Sequence, residues 1–252
     1  MTADDYVLSI VRKYQQQTGV SSPAHQTANL IYNSIKSWAG DFLNEVHFSG
    51  SYAKGTGVKG SADLDLFISL KSDTPYTLQH IFDSLHDNYK NKIPARKQNV
   101  SIGIKYNGLD IDLVPGKKQK GNTNYHNLYK NKTGTWTQTN VKNHINIVSE
   151  SGRCDEIRAI KIWRQLNNID FPSIYLELSV LEALKHLNKN QCSSNVWKVF
   201  QYLRDDFLEK RIVDPSNTNN IISDDLNKSE KSKIVKLAEQ ALSKKYWSEI
   251  IW

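Results

Sequence analysis

Hydrophobic residues follow two different periods along this chain. In several stretches they recur every three to four residues, which is typical of amphipathic helices. The predicted helices cover residues 4–17, 23–43, 76–89, 155–167, 174–187, 195–207 and 228–244. Other stretches are short and alternate between apolar and polar residues, which predicts β-strands. The predicted strands cover residues 46–51, 63–69, 100–106 and 109–114.

The order of these elements predicts a mixed α/β half followed by an all-helical half. Asn107-Gly108 lies between the last two predicted strands and indicates a tight hairpin. The polar stretches 52–61 and 116–124 are predicted to be exposed loops. We therefore expect residues 1–145 to contain helices and a sheet, and residues 146–252 to form a helical lobe.

Charge and cysteine content narrow the class of protein. The chain has 33 Lys and Arg against 26 Asp and Glu, so its net charge is +7, which is compatible with a nucleotide, nucleic acid or phosphate as partner. Its 2 cysteines are too far apart for a metal-binding pair and do not suggest a disulfide framework. No basic segment typical of a signal peptide accompanies Asp4 and Asp5, and no apolar run could span a membrane. We expect a soluble cytoplasmic protein.

Paired carboxylates occur on two of the predicted strands. Asp63 and Asp65 share one face of a strand because side chains alternate, and Asp110 and Asp112 do the same on another. Half-exposed strands without any site can show the same alternation. If the two strands are neighbours, three or four carboxylates converge, and ligands that are all oxygen suit Mg²⁺ or Mn²⁺ better than zinc.

A glycine-serine turn, Gly50-Ser51, precedes Asp63 by twelve residues. Glycine allows the backbone to approach a phosphate closely, and the serine N–H and hydroxyl can donate hydrogen bonds to it. The P-loop pattern Gly-x-x-x-x-Gly-Lys-Ser/Thr is absent from the sequence, which argues against a P-loop NTPase. Together with the carboxylates, the turn favours a two-metal site that activates a hydroxyl and stabilises a leaving pyrophosphate.

These motifs resemble those of a known superfamily. The run Gly50-Ser51, Lys54-Gly55-Thr56 and Asp63-x-Asp65 is similar to the signature of the DNA polymerase β-like nucleotidyltransferases. It looks most like the branch of 2′-5′-oligoadenylate synthetases, archaeal-type CCA-adding enzymes and bacterial cyclic-oligonucleotide synthases. The resemblance implies an α+β fold, with a mixed sheet flanked by helices, a helical lobe, and an active site in the cleft between them. It also implies that Asp112, before Leu113-Val114-Pro115, is the third catalytic and metal-binding residue, with Asp110 only its neighbour.

The resemblance continues into the helical half. Residues 157–163 are similar to the family helix whose lysine contacts nucleotide phosphates, and Lys161 matches that lysine. Ser173 lies where the family often places a polar nucleotide contact. Arg158 shares a helical stripe with Lys161, so the two could face a triphosphate, although such a stripe is equally typical of a solvated helix surface. With Gly50, Ser51 and Lys54, these residues form the implied nucleotide-binding set.

The implied reaction is metal-dependent, template-independent transfer of a nucleoside monophosphate from an NTP to a hydroxyl. A core followed by one helical lobe favours a synthase that makes a cyclic or linear oligonucleotide second messenger, as in antiphage signalling. ATP is the expected substrate, Mg²⁺ or Mn²⁺ the expected cofactor, and an RNA or a protein the expected kind of activator. The alternative is an RNA nucleotidyltransferase acting on tRNA 3′ ends, whose relatives usually carry further RNA-binding domains. An inactive nucleotide- or RNA-binding module is a third alternative, against which the three aspartates argue.

Overall fold

A computed structural model describes residues 1–60, 63–121 and 123–252 of the chain. Its helices are α1 (Ala3–Tyr14), α2 (Pro23–Ala39), α3 (Gly50–Lys54), α4 (Leu78–Lys90), α5 (Val141–Ser149), α6 (Cys154–Leu166), α7 (Ser173–Ala183), α8 (Cys192–Asp205) and α9 (Lys228–Leu242). Its strands are β1 (Leu43–Phe48), β2 (Leu64–Leu70), β3 (Ala95–Lys97), β4 (Ile102–Tyr106), β5 (Leu109–Lys118), β6 (His126–Lys130), β7 (Thr135–Thr139), β8 (Val213–Asp214) and β9 (Asn217–Ile221).

Contacts divide the chain into two units, and the first contains the main sheet. This sheet unit consists of Gln17–Gly55 and a second segment that ends at Ile145. Its strands are ordered β1-β2-β5-β4-β3, with β6 added to the end of β5 and β7 added to β6. Strands β2 and β5 are parallel, and the other neighbouring pairs of this sheet are antiparallel. The predicted fold class, a mixed sheet flanked by helices, is confirmed.

The two faces of this sheet have different chemistry. On one face, apolar side chains of β2, β4 and β5 pack with α2 and α4 in a buried core that includes Leu66, Ile104, Leu113, Ile35 and Phe82. Because side chains alternate along a strand, the residues between the buried ones project from the opposite face. The acidic residues of β2 and β5 lie on that opposite face.

The second unit is helical and contains more of the chain than the sequence predicts. It consists of Met1–Gln16, a short segment that begins at Thr56, and Asn146–Trp252. Helix α1 contacts α6 and α8, and its buried Val7 and Val11 belong to the helical core. The sequence predicts that residues 1–145 form one part. The structure instead assigns the first sixteen residues to the helical unit, because the apolar stripe of α1 is covered by helices there.

The polar region after the third aspartate also differs from expectation. The predicted loop 116–124 begins inside β5, which continues to Lys118, and β6 and β7 follow. Gly116 is buried, and a larger residue there would collide with the core because its Cβ would lie 2.6 Å from Cζ of Phe67. The hairpin prediction is correct, since Asn107 and Gly108 both have positive φ, 49° and 75°, as a two-residue type I′ turn requires. Residues 61 and 122, which belong to predicted loops, lie outside the described residues.

Within the described residues, every helix is too short or too polar to cross a bilayer.

Candidate active site

Asp65 and Asp112 are side by side in the sheet. They are register partners on the parallel strands β2 and β5. Register partners share a face, so both carboxylates project from the face opposite the apolar core. The conditional prediction that the two acidic strands would be neighbours is therefore met.

Asp63 immediately precedes β2 and is exposed. Partial desolvation raises the pKa of Asp63 above its ordinary value, and the negative charge of Asp110 raises it further. Desolvation also raises the pKa of Asp112, followed by the charge of Asp63. These mutual effects mean that the aspartates lie within electrostatic range of one another. The Arg96 guanidinium acts in the opposite direction on the pKa of both Asp63 and Asp112.

Two polar side chains orient the Asp112 carboxylate. Gln98 Nε2 donates a hydrogen bond to Asp112 Oδ1 at 2.9 Å. The Ser101 hydroxyl donates to Gln98 Oε1 at 2.7 Å and also lies 3.4 Å from Asp112 Oδ2. Because the Ser101 hydroxyl donates its hydrogen bond to the amide oxygen of Gln98, the NH₂ group of Gln98 is the end that faces the carboxylate. Sequence reasoning missed both residues, since a lone Gln and Ser before a strand give no periodic signal.

The glycine-serine turn lies against Asp65. Strand β1 ends at Phe48, and the next residue, Ser49, donates its backbone N–H to the Asp65 carbonyl at 2.9 Å. Helix α3 then begins at Gly50, which has φ +56°. A Cβ on Gly50 would lie 1.8 Å from Asp65 Oδ2. The motif therefore brings bare backbone directly against one of the predicted metal ligands.

Ser51 and Lys54 follow Gly50 on α3. The expected loop over residues 52–61 is in part this short helix, which ends at Lys54 and is capped by Gly55 in the left-handed conformation. Lys54 is buried, with 7% of its surface exposed.

The residues implied from the helical half lie on α6 and α7. Lys161 is buried, and its Nζ donates to Glu177 Oε1 at 2.6 Å and to Thr56 Oγ1 at 2.9 Å. Thr56 Oγ1 lies 3.1 Å from the same carboxylate oxygen. The alternative in which Lys161 sits on a solvated helix surface is therefore wrong.

Arg158 and Ser173 have partners within the helical unit. Arg158 Nη1 forms an ion pair with Asp155 Oδ1 at 2.6 Å. Arg164 Nη1 donates to the Ser173 hydroxyl at 3.0 Å. These contacts account for the local geometry of both side chains and leave their predicted contact with a nucleotide untested.

The acidic face has the donors that a hard divalent cation prefers. Desolvation first, and then the charge of a neighbouring aspartate, raises the pKa of Asp63 and of Asp112, and a divalent cation would relieve that repulsion. Within the described ranges, however, no group of three His, Cys, Asp or Glu side chains is already arranged as a metal site. The donor set, all carboxylate oxygen, fits a hard divalent cation in its chemistry.

This fold and this site define a polymerase β-like nucleotidyltransferase. Residues 22–151, just over half of the chain, match the SMODS family, the Second Messenger Oligonucleotide or Dinucleotide Synthetase domain. The chain belongs to this family. It is a nucleotidyltransferase of the kind that makes cyclic oligonucleotide second messengers, and the family is generally dependent on a divalent metal.

Similar proteins come from several bacteria. The cyclic AMP-AMP-AMP synthase of Escherichia coli (strain MS 115-1) is 24% identical over 218 residues, covering 76% of this chain and 68% of that protein. The structure of E. coli MS115-1 CdnC with ATP has a TM-score of 0.75 at 21% identity and covers 94% of this chain and 89% of that one. Bradyrhizobium diazoefficiens CdnG with GTP gives 0.78 at 12% identity, with coverage of 94% and 90%. At these identities the structural matches establish a shared fold.

Proposed function

We propose that this protein uses Mg²⁺, held by Asp63, Asp65 and Asp112, to join molecules of ATP into a short cyclic oligonucleotide. The observation that carries the proposal is the register of β2 and β5, which pairs Asp65 with Asp112 beside the glycine-serine turn. Mg²⁺ is preferred because carboxylate oxygens are its usual protein ligands. ATP is preferred because one relative is a cyclic AMP-AMP-AMP synthase and the similar CdnC was solved with ATP.

Asp112 has the properties of a general base for the attacking hydroxyl. Its carboxylate projects beside that of Asp65 from the acidic face, and we assign it to accept the proton of the acceptor hydroxyl. Gln98 holds Oδ1, so the carboxylate has a fixed orientation. The bound metal ion would supply charge to neutralise the phosphates. Asp112 would take the proton from the acceptor hydroxyl as that oxygen attacks the α-phosphorus and pyrophosphate leaves.

The turn at Gly50 and Ser51 is the proposed cradle for the donor phosphates. The backbone at Gly50 carries no side chain, so a phosphate can approach it, and Ser51 supplies a hydroxyl donor. Lys54 on the same helix is the proposed positive charge near that cradle.

Arg158, Lys161 and Ser173 remain proposed nucleotide contacts on the strength of the family resemblance. For Lys161, the ammonium group already donates to Glu177 and Thr56. Its net attraction for a phosphate would be reduced by the neighbouring carboxylate.

The test is incubation of the protein with each NTP and Mg²⁺, followed by chromatography of the products. Because E. coli CdnC was solved in a complex with HORMA, parallel reactions should contain a HORMA-domain protein or RNA as activator. We expect ATP to give a product that resists phosphatase, since a cyclic oligonucleotide has no free phosphate end. The Asp112→Asn variant should give none.

Two other outcomes would overturn the proposal. Efficient extension of added tRNA, with no product from NTPs alone, would identify an RNA nucleotidyltransferase. Nucleotide binding without transfer under every condition would identify an inactive binding module.

A further inference from the structure

A row of register partners crosses the sheet at the proposed metal site and continues beyond it. Asp65 on β2 pairs with Asp112 on β5, Asp112 pairs with Gly103 on β4, and Gly103 pairs with Arg96 on the edge strand β3. Partners in adjacent strands project from the same face. Arg96 therefore lies on the acidic face, on the side of Asp112 that is remote from the Gly50 turn.

Gly103 leaves room for the arginine side chain to lie across the sheet. This glycine is buried, and a Cβ there would lie 2.8 Å from Gln98 Nε2, 2.9 Å from Arg96 Nε and 3.1 Å from Arg96 Cγ, so the side chains of Gln98 and Arg96 share the space above it. Neighbouring strands are about 4.8 Å apart, so the Cα atoms of Arg96 and Asp112 are separated by about 10 Å, and the arginine side chain spans much of that gap. Arg96 lowers the pKa of both Asp63 and Asp112, which agrees with this placement.

A second cation lies on the same face. Lys105 is two residues beyond Gly103 on β4, so it projects in the same direction, and it is the register partner of Asp110. Arg96 and Lys105 are both exposed. Together with Gly103, Asp110 and the neighbouring chain at residues 94–95 and 104, they line a cavity of about 230 Å³. We call this the Arg96 cavity.

We propose that the Arg96 cavity binds the phosphate of the acceptor nucleotide, the one whose hydroxyl attacks. The proposal rests on the proposed function of Asp63, Asp65 and Asp112. The glycine-serine turn, assigned to the donor phosphates, lies against Asp65, while the cavity lies on the other flank of Asp112. A phosphate bound there belongs to a molecule that approaches Asp112 from the acceptor side, as the base assignment requires.

The chemistry of the cavity fits a phosphate. A guanidinium is a planar, permanently charged donor that binds phosphate oxygens in pairs, and an ammonium from a different strand adds a second charge. Asp110 lines the same cavity and is repulsive toward a phosphate, so the two cations are needed to make the site net positive.

A competing explanation is that Arg96 only moderates repulsion among the aspartates. The two roles differ in their dependence on the acceptor. A counter-ion would affect every acceptor equally, whereas a phosphate ligand would affect only acceptors that carry a phosphate.

The experiment separates donor from acceptor with two analogues. The donor is 2′,3′-dideoxy-ATP at saturation, which has neither ribose hydroxyl and so cannot act as acceptor. The acceptors are α,β-methylene-ATP, which carries phosphates but cannot donate AMP, and adenosine, which carries none. The variants are Arg96→Ala, Arg96→Lys and Lys105→Ala. The matched control is Lys97→Ala, on the same strand but pairing with Asp83 at 2.6 Å on the opposite face.

We expect Arg96→Ala to raise the KM for α,β-methylene-ATP about tenfold or more, as the loss of one charge-assisted contact predicts, with kcat little changed. Its KM for adenosine should match that of the wild-type protein. Arg96→Lys should recover part of the loss, Lys105→Ala should show a smaller rise, and Lys97→Ala should show none. An unchanged KM for the phosphorylated acceptor, or an equal rise for adenosine, would overturn the proposal.

Failure of the proposed function would look different, because the wild-type protein would then make no product from any acceptor. The cavity is still tested in that case by calorimetric titration with AMP and with adenosine. Weaker binding of AMP to Arg96→Ala than to the wild-type protein, with adenosine unchanged, is the expected result. Equal binding of AMP by both proteins would refute the Arg96 cavity.

Discussion

The backbone at Gly50 is so close to Asp65 that a larger residue must displace one of them. A Cβ would lie 1.8 Å from the carboxylate oxygen, and the residue has φ +56°. Gly50→Ala should therefore move the turn or the carboxylate by about 1 Å and reduce the rate of nucleotidyl transfer about a hundredfold. The measurement is single-turnover transfer from ATP.

Gly19→Ala is the matched control for Gly50→Ala. Gly19 also has a positive φ of 96°, yet nothing lies within 4 Å of the position that a Cβ would take there. Alanine at either position carries the same kind of backbone strain, on the order of 1 kcal/mol. Equal rates for the two alanine variants would show that strain, and not the contact with Asp65, explains any loss.

Asp63 combines a proposed catalytic role with an unfavourable electrostatic environment. Its folded-state pKa is raised, so the native protein binds this proton more tightly than the unfolded chain does. Its contribution to stability therefore falls as the pH rises through that raised pKa. Asp63→Asn should abolish transfer, yet be at least as stable as the wild-type protein at neutral pH.

The stability advantage of Asp63→Asn should shrink as the pH falls toward the ordinary aspartate pKa of about 3.9, where the wild-type side chain is also neutral. Urea unfolding of both proteins between pH 4 and 7 measures it. A variant that is less stable than the wild-type protein at pH 7 would contradict the assigned repulsion.

At the scale of helices, the contact between α6 and α7 includes an ion pair in the core. Lys161 and Glu177 have side chains only 3% and 1% exposed. Glu177→Ala removes the partner of a buried ammonium, so we expect unfolding free energy to fall by about 3–5 kcal/mol. The double variant Lys161→Met, Glu177→Leu should recover most of that loss, because apolar residues can fill the same space.

A second ion pair on α7 serves as the control. Lys210 Nζ and Glu182 Oε1 are 2.7 Å apart, but their side chains are 41% and 36% exposed. Such pairs contribute about 0–1 kcal/mol, so Glu182→Ala should change urea unfolding little. If Glu177→Ala and Glu182→Ala lowered the free energy of unfolding equally, burial would not determine how much these ion pairs contribute to stability.

The spacing of hydrophobic residues predicts an element best when apolar residues recur regularly along it. Helix α4 lies within a few residues of its predicted bounds because it has one apolar face and one polar face. Strand β2 does so because Leu64, Leu66, Ile68 and Leu70 recur at every second position. Strands β6 and β7 escape prediction because polar residues such as Asn127 and Gln138 outnumber the apolar ones in both, and because the strands are held by pairing with β5 and with each other. A pattern of side chains carries no information about that backbone pairing.

As with the fold, only part of the candidate site can be predicted from the sequence. Asp63, Asp65 and Asp112 stand out because they interrupt apolar strands at a fixed period. Gln98 and Arg96 do not, because the hydrogen bond of Gln98 to Asp112 and the charge effect of Arg96 on it depend on which strands lie beside β5 and in which register. The ion pair of Lys161 with Glu177 depends likewise on how two helices pack, which the stripe on one helix cannot reveal.

At the scale of the whole molecule, the order of the chain does not match the order of the two units. The helical unit takes its first helix from the N-terminus and a short segment from the middle of the chain, while the sheet unit lies between them in sequence. An amphipathic helix shows that one stripe is buried but does not say against what. The expectation for residues 1–145 fails for this reason at α1, whose stripe is equally suited to a sheet or to helices.

Because α1 belongs to the helical unit, a destabilising substitution in α1 should lower the stability of that unit more than that of the sheet unit. Val11 is 1% exposed in the helical core, and Ser9 on the same helix is exposed. Val11→Asp places a charge among apolar side chains and should cost several kcal/mol, whereas Ser9→Asp should cost little. Amide hydrogen exchange of the full chain measures the effect element by element. In Val11→Asp, protection should fall in α6 and α8, which contact α1, and persist in β2 and β5 of the sheet unit. An equal loss in β2 and β5 would mean that α1 supports the sheet as much as the helices, and the division of the chain would have to be redrawn.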